Sequence, residues 1–576
     1  MARLGRKKGR RKRRKLTPDE RRLRKLKRDH RKEVRSIFSA VGFTRLSSAS
    51  DREFSYQGGT TDFDDVFIYE NIISLNEYTT AGESHVSDHL RNKKILYDKI
   101  VKDPVSFVEF LEAEFTGFKS LRGKKYTASQ TRVIIVYCSL NTLNNDLKRE
   151  VRSAKYLDFQ ISKYFKAVTG SIKRSARFEF FNFLGLKYGE IGENILSPST
   201  TSNTNYAGSI LPEEHSHFKR GYKVVSFYVD PEALLSRCYV LRKDGWEETG
   251  NLYQRMISKN KIEAIRDYLL REKRVFINNI VVTLPSTTRL FDADDNLLDP
   301  SSVARTSPVK IQLPTEYNSV GLVDGQHRVF SYYESGGNEP EIARLRKQQN
   351  LLATGIIYPN SASATDRMKF EATLFLEINA NQTNAKSDVK QAIGLLLHPF
   401  SPESIAKQVV NRLNERGPLA NQFERFFFEK GKLKTTTVVS YGIKPLVRIS
   451  SGSSGDSLFD LWPHARKRRL ERHEDANLLE QYVDYCVSQI SQFIGGVKSG
   501  IPPEKWTADK KKGGLLTTTN INGFIVCLRR VVAKGRVHKF EYYRSKMEEI
   551  SKFDFSLYRS SQYGRMGDDM YTQYFS

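Results

Sequence analysis

Five consecutive residues, Asp324-Gly325-Gln326-His327-Arg328, set a carboxylate, an amide, an imidazole and a guanidinium around one glycine. They lie between the apolar run 320–323 and the amphipathic segment 329–334, so the pattern predicts a strand, a tight corner and a helix. Gly325 suits that corner, because a residue without Cβ turns freely and lets its backbone approach a bound group. The helix that follows offers unpaired N–H groups and a positive dipole end to an anion. Gln326, His327 and Arg328 add donors there, and the planar fork of Arg328 matches two phosphate oxygens. Asp324 is suited to orienting His327, holding a metal or taking a proton, which makes Asp324 and His327 the candidate catalytic pair. A nucleotide or phosphodiester site accounts for these five residues better than a helix-capping turn does.

Other side chains fit the same site. Arg255, in Tyr253-Gln254-Arg255, would join Arg328 in neutralising a di- or triphosphate; its alternative is a surface salt bridge. Asn379, Asn381 and Gln382 carry amides that read base or sugar edges, or else cap their own helix.

Asp-Gly-Gln-His-Arg resembles the signature of the prokaryotic DGQHR-domain family, which includes the DndB-type proteins of DNA phosphorothioation systems. It is similar also to the wider ParB/sulfiredoxin-like fold, whose strand–Gly–x–x–Arg–helix corner binds nucleotide phosphates. Tyr253-Gln254-Arg255, Phe276-Ile277-Asn278-Asn279 and the stretch from Phe375 to Gln382 resemble the same family in the same order. The resemblance covers about residues 220–400. It implies a domain that binds a nucleoside triphosphate or a DNA phosphate, with a role in DNA modification, its control, or defence that depends on it. DNA and other modification or defence proteins are the partners it implies.

A second set of acids lies nearer the N-terminus. Asp65 opens one strand-like run (65–69) and Glu77 stands near the end of the next (72–78), with Glu70-Asn71 as the turn between them. A helix over 85–100 and an apolar strand over 131–138 follow. This order resembles the core of PD-(D/E)xK nucleases, which implies a restriction-endonuclease-like domain with Asp65 and Glu77 as Mg²⁺ ligands and Glu77 as a catalytic residue. Two carboxylates on adjacent strand ends suit that oxygen-seeking ion, which activates water against a phosphodiester. The triplet Glu77-Tyr78-Thr79 departs from the family pattern, with threonine where the lysine belongs, and so puts cleavage in doubt. Lys93 or Lys94 on the following helix is the substitute ammonium, and Asp62 and Asp64 are alternative first acids. A degenerate nuclease fold kept for DNA binding is the other reading.

The elements that must hold these sites are spread over a long, basic chain. Its 576 residues carry 94 Lys or Arg against 66 Asp or Glu, a net charge of +28. Residues 1–35 alone hold 19 basic against 4 acidic side chains, a composition that neutralises phosphates without reading sequence. Residues 1–16 are expected as a disordered basic arm. Thr17-Pro18-Asp19-Glu20 then starts a helix that Gly42 ends. The first domain is expected over 17–195, a polar linker over 196–219, the DGQHR domain over 220–400 and a mainly helical region over 401–576. The fold class is therefore α/β of the α+β kind. Cys138, Cys238, Cys486 and Cys527 are scattered, with no zinc-like spacing, and are expected as buried thiols. No apolar run is long enough for a membrane span and no secretory signal is visible, so a cytoplasmic protein with no membrane partner is expected.

Overall fold

The computed structural model describes residues 17–197, 201–242, 245–246, 254, 256–380, 387–426, 428–429, 431–449, 455–509 and 513–576. The expected basic arm, Arg255, Asn381 and Gln382 lie outside these residues.

The chain enters through α1 (Pro18–Ala40). Its N-terminus is closed by a capping box in which Thr17 and Glu20 satisfy each other's backbone N–H groups. Gly42, at φ 99°, follows its C-terminus. Val34, Ile37 and Phe38 form the buried face of α1, and the Phe38 ring stacks on Phe67 at 4.5 Å. Five strands make the first sheet, in the order β1 (Thr44–Arg45), β4 (Asp65–Tyr69), β5 (Ile72–Thr79), β6 (Arg132–Ser139), β7 (Ala154–Leu157). A small hairpin, β2 (Phe54–Tyr56) and β3 (Gly59–Thr61), precedes β4. β1, β4 and β5 run antiparallel in turn, and β5, β6 and β7 are parallel. The two faces bury different cores. Phe67, Ile72, Val136 and Cys138 pack toward α1 and the Phe159–Ile172 helix. Val66, Ile68, Ile73 and Leu75 pack toward α2 (Glu83–Lys102) and the Pro104–Glu114 helix.

The second sheet has eight strands, ordered β10 (Cys238–Tyr239), β14 (Val320–Asp324), β11 (Ile280–Leu284), β15 (Leu351–Ile357), β9 (Lys223–Val229), β8 (Thr201–Leu211), β13 (Ser307–Pro314), β12 (Arg289–Phe291). It is mixed: β10–β14 and β11–β15 are parallel, and the remaining pairs are antiparallel. Here the expected linker is overturned. Residues 201–211 form a strand of 11 residues that pairs with β13 on one side and β9 on the other. Its Thr, Ser and Asn residues read as loop, yet Tyr206 and Ile210 are buried four residues apart, as one face of a strand requires. Nor is there a break between the first two units. One apolar cluster runs from Val34 through Phe181 to Phe227 and Tyr333, and Arg177 pairs with Glu334 across the junction.

The C-terminal region is helical and has a core of its own, built from helices such as Pro402–Glu415, Ala476–Ser499 and Thr518–Val532. Leu478, Tyr482, Cys486 and Ile490 line one buried face of the second of these. All four cysteines are buried free thiols. Among the described residues no helix is long and apolar enough to cross a membrane.

Candidate functional site

The Asp324–Arg328 corner forms where β14 ends. Gly325 takes φ 100°, a region that other L-residues rarely enter. A Cβ there would stand 2.6 Å from Ile280 Cγ2, so the corner presses directly on β11. The β11–β14 register shifts beside it, where the single step from Val281 to Val282 spans two residues of β14, Asp324 to Leu322. The helix after Gly325 is a single turn, Gln326–Phe330, and stops short of the expected Glu334. Two buried arginines explain the stop. Arg266 donates to the carbonyls of Ser331 and Tyr333, and Arg346 to that of Tyr332, so these groups need no helical partner. Phe330, Tyr332 and Tyr333 are buried, as core residues rather than stacking platforms.

The polar side chains of the corner are held among themselves. Arg328 Nη2 donates to Asp324 Oδ2 at 2.7 Å, a pair four residues apart and partly open to solvent. Asp324 therefore faces Arg328, and it is not the group that orients His327. His327 Nε2 instead accepts from the Ser258 backbone N–H at 3.1 Å. Burial, with Lys261 and Arg242 nearby, pushes the imidazole down to about 4. At neutral pH it is uncharged, and its Nε2 lone pair is already committed, so the ring is a poor general base there.

Of Tyr253-Gln254-Arg255, Gln254 is the described member. Gln254 is buried and donates to the Leu322 carbonyl at 2.6 Å, which ties its segment to β14 two residues before Asp324. Arg242, fully buried, donates to Glu179 at 2.7 Å and Tyr164 at 3.0 Å, so it anchors the central unit to the first. Asn379 donates to the carbonyl of Phe375 in its own helix, Ala364–Ala380, the local alternative for that residue. Under Gly321, Glu371 Oε1 accepts from Tyr239, Thr283 and Tyr358 at 2.6–2.8 Å, a buried cluster that no motif announced.

In the first sheet the expected metal pair is divided. Asp65 lies opposite Asn76 in the β4–β5 ladder, so Asp65 and Glu77 point to different faces. Asp65 is fully buried on the α1 side, gripped by both ends of the Arg35 fork at 2.7 and 2.9 Å, by Arg45, and by the Tyr78 hydroxyl. Glu77 is buried on the α2 side, where Lys93 Nζ meets it at 2.6 Å. Asp65 and Glu77 therefore cannot hold one Mg²⁺ together. Of Lys93 and Lys94, Lys93 is the one that meets Glu77, and it also contacts Thr61 at 2.9 Å and Asp62 at 3.5 Å. Asp62 and Glu77 are thus the carboxylates that converge on one cation position. Asp64 turns instead to Arg31 and to the Tyr78 backbone N–H. Burial pushes Glu77 up to about 7, against the pull of Lys93, with Asp64 and Asp62 adding to the rise. Among the described residues no group of three or more His, Cys, Asp or Glu is placed to hold a metal ion.

A cleft of about 960 Å³ opens at the other end of the central sheet, beside Arg220, Thr288, Arg289 and Tyr358, and no residue of the corner lines it. Compared with known proteins, the chain matches no family model, no curated protein and no solved structure, so the site is characterised by its own geometry.

Proposed function

We propose that this chain is a DNA-associated protein of the DGQHR/DndB-like kind, acting in DNA modification or in defence linked to it. Its central domain, ParB/sulfiredoxin-like in this reading, binds a nucleotide or DNA phosphate at Asp324–Arg328. The observation that carries the proposal is the corner itself: a left-handed turn that strains any residue but glycine, seated on β11, with Arg328 held at its rim by a carboxylate of the same turn. An incoming phosphate would share or take over the Arg328 fork from Asp324, a planar exchange that lysine cannot imitate. His327, uncharged and bonded through Nε2, supports the turn in this reading and carries no charge to the phosphate. Nucleotide and DNA binding measured for Arg328→Ala and Arg328→Lys tests the assignment. Weakened binding of either ligand by at least tenfold in both variants is expected, and unchanged binding of both ligands would sink it.

A second reading, a metal-dependent DNA endonuclease, is favoured by one observation: Asp62 and Glu77 converge on a single cation position, now filled by Lys93. A divalent ion bound there would supply an activated water. Glu77, buried and pushed up to about 7, is the residue whose proton would have to leave first. Plasmid incubated with Mg²⁺ or Mn²⁺ tests this. Cleavage lost in Glu77→Ala supports it, and intact plasmid, modified or unmodified, rules it out.

A further inference from the structure

Along α1 an arginine recurs on one side at every turn: Arg21, Arg24, Arg28, Arg31 and Arg35, spaced alternately three and four residues apart. That spacing stacks them on one face, over about 21 Å at a rise of 1.5 Å per residue. The two ends of the stripe have different surroundings. Arg31 and Arg35 lie against the body of the protein and are met by oxyanions: Arg31 by Asp51 and Asp64, Arg35 by Asp65. Arg21, Arg24 and Arg28 lie on the half of the helix that the body does not cover. From residue 17 to residue 29 every side chain is exposed except Glu20, which is half-buried, and the first buried residue is His30. This half is still a closed helix, because the Thr17–Glu20 capping box finishes its end. The contact of Arg28 with Asp29, at 3.5 Å between well-exposed side chains, carries little weight.

We propose that the projecting half of α1 is a docking surface for the phosphate backbone of double-stranded nucleic acid, gripped by Arg21, Arg24 and Arg28. Where the same stripe meets its own chain it is matched by carboxylate oxygens, which shows the chemistry its uncovered part selects. Arg22, Lys25 and Lys27 stand beside it, so residues 18–29 carry six basic side chains against three acidic ones. A duplex offers one negative charge per about 1.7 Å of its axis, so a straight cationic rod finds a phosphate for each arginine. The rod is already helical, which spares the ordering cost that a flexible tail incurs on binding. Leu23 and Leu26, 47% and 43% exposed, extend the seam of His30, Val34 and Ile37. Two side chains fall far short of the roughly 1,200 Å² that a specific protein interface buries, so charge selects the occupant.

The inference borrows from the proposed function only the class of ligand. Its surface is separate from the Asp324–Arg328 corner and makes a different prediction, binding that is blind to sequence and steep in salt. The full chain is titrated onto a duplex DNA of about 30 base pairs at several salt concentrations, with the triple variant Arg21→Ala, Arg24→Ala, Arg28→Ala alongside. Alanine preserves the helix. The log–log salt slope is expected to flatten by about 3, close to 0.9 per lost phosphate contact, with affinity falling at least about 100-fold at 100 mM salt. The exposed control Arg466→Ala, Arg469→Ala, Arg472→Ala should leave the slope unchanged. An unchanged slope in the α1 variant, or no duplex binding by the unaltered chain, overturns the proposal. So does a dimer that Leu23→Ser with Leu26→Ser dissociates, because a second copy is then the occupant. A flattened slope together with an ineffective Arg328→Ala supports α1 and removes the corner; the opposite pattern removes α1 and leaves the corner standing.

Discussion

The two candidate sites answer their charges differently. At the central corner, carboxylate and guanidinium belong to one turn, Asp324 and Arg328 being four residues apart. In the first sheet every acid is answered from a distance: Asp65 by Arg35 and Arg45, 30 and 20 residues away, and Glu77 by Lys93, 16 residues away. A local motif carries its chemistry wherever the chain places it. An acid in a sheet takes its meaning from parity and from the helix above it, so two acids that look paired in sequence end on opposite faces.

The largest effect expected from this contrast is at Asp65. Removing one member of a buried ion pair leaves its partners unsatisfied and costs about 3–5 kcal/mol. Asp65→Ala should therefore lower the urea midpoint strongly, and Asp65→Asn should recover only part of the loss, because an amide cannot accept both ends of the Arg35 fork. A loss below about 1 kcal/mol for Asp65→Ala would mean that the network is solvated, like a surface pair.

Next in size are two titrations of opposite sign. Glu77 binds its proton more tightly folded, at about 7, than at its ordinary 4.5. Its contribution to stability is therefore full below pH 4.5 and is lost as pH rises toward 7, by about 3 kcal/mol at 1.36 kcal/mol per unit. His327 does the reverse. Held neutral down to about 4 against an ordinary 6.5, it contributes fully above pH 6.5, and about 3 kcal/mol is lost as pH falls to 4. Stability measured from pH 4 to 8 in Glu77→Gln and His327→Gln should lose one limb each. A variant that keeps the limb assigned to it shows that the residue titrates normally.

Much of the scaffold was legible because local signals and tertiary structure agree there. Thr17, Pro18 and Gly42 marked α1 to within two residues, and the apolar runs of β4, β5, β6 and β14 stand where periodicity put them. β8 was not legible, because it earns its place from neighbours on both sides and not from its own polar residues. β7 is four residues set between a helix that ends at Glu150 and one that starts at Phe159, too short to show a period of its own. At the corner, Gly325 and Arg328 were readable from residue type alone. Gln254, Arg266 and Arg346 were not, since each acts on a carbonyl that only the fold brings near.

A smaller loss is expected at Gly325. Gly325→Ala places a methyl against Ile280 and forces alanine to φ 100°, each a matter of about 1–3 kcal/mol. Partial relaxation of Ile280 should keep the total near the lower end, about 2 kcal/mol. The double variant Gly325→Ala, Ile280→Ala, read against Ile280→Ala alone, separates the two causes, because it removes the Cγ2 atom that the new methyl meets. Recovery shows that crowding dominates, and no recovery shows that the backbone angle does.

The smallest stability effect is expected at Asp324, and it is the most discriminating. An i,i+4 pair partly open to water contributes about 0.5 kcal/mol, so Asp324→Ala should hardly move the unfolding midpoint while Asp65→Ala moves it far. Binding should go the other way. Freed from its internal carboxylate, Arg328 no longer has to be shared, so a phosphate ligand should bind Asp324→Ala more tightly, by a few-fold. If instead Asp324→Ala weakens nucleotide binding as much as Arg328→Ala does, the carboxylate touches the ligand or its metal ion directly. The central corner would then resemble the first sheet, with acids whose partners come from outside their own turn.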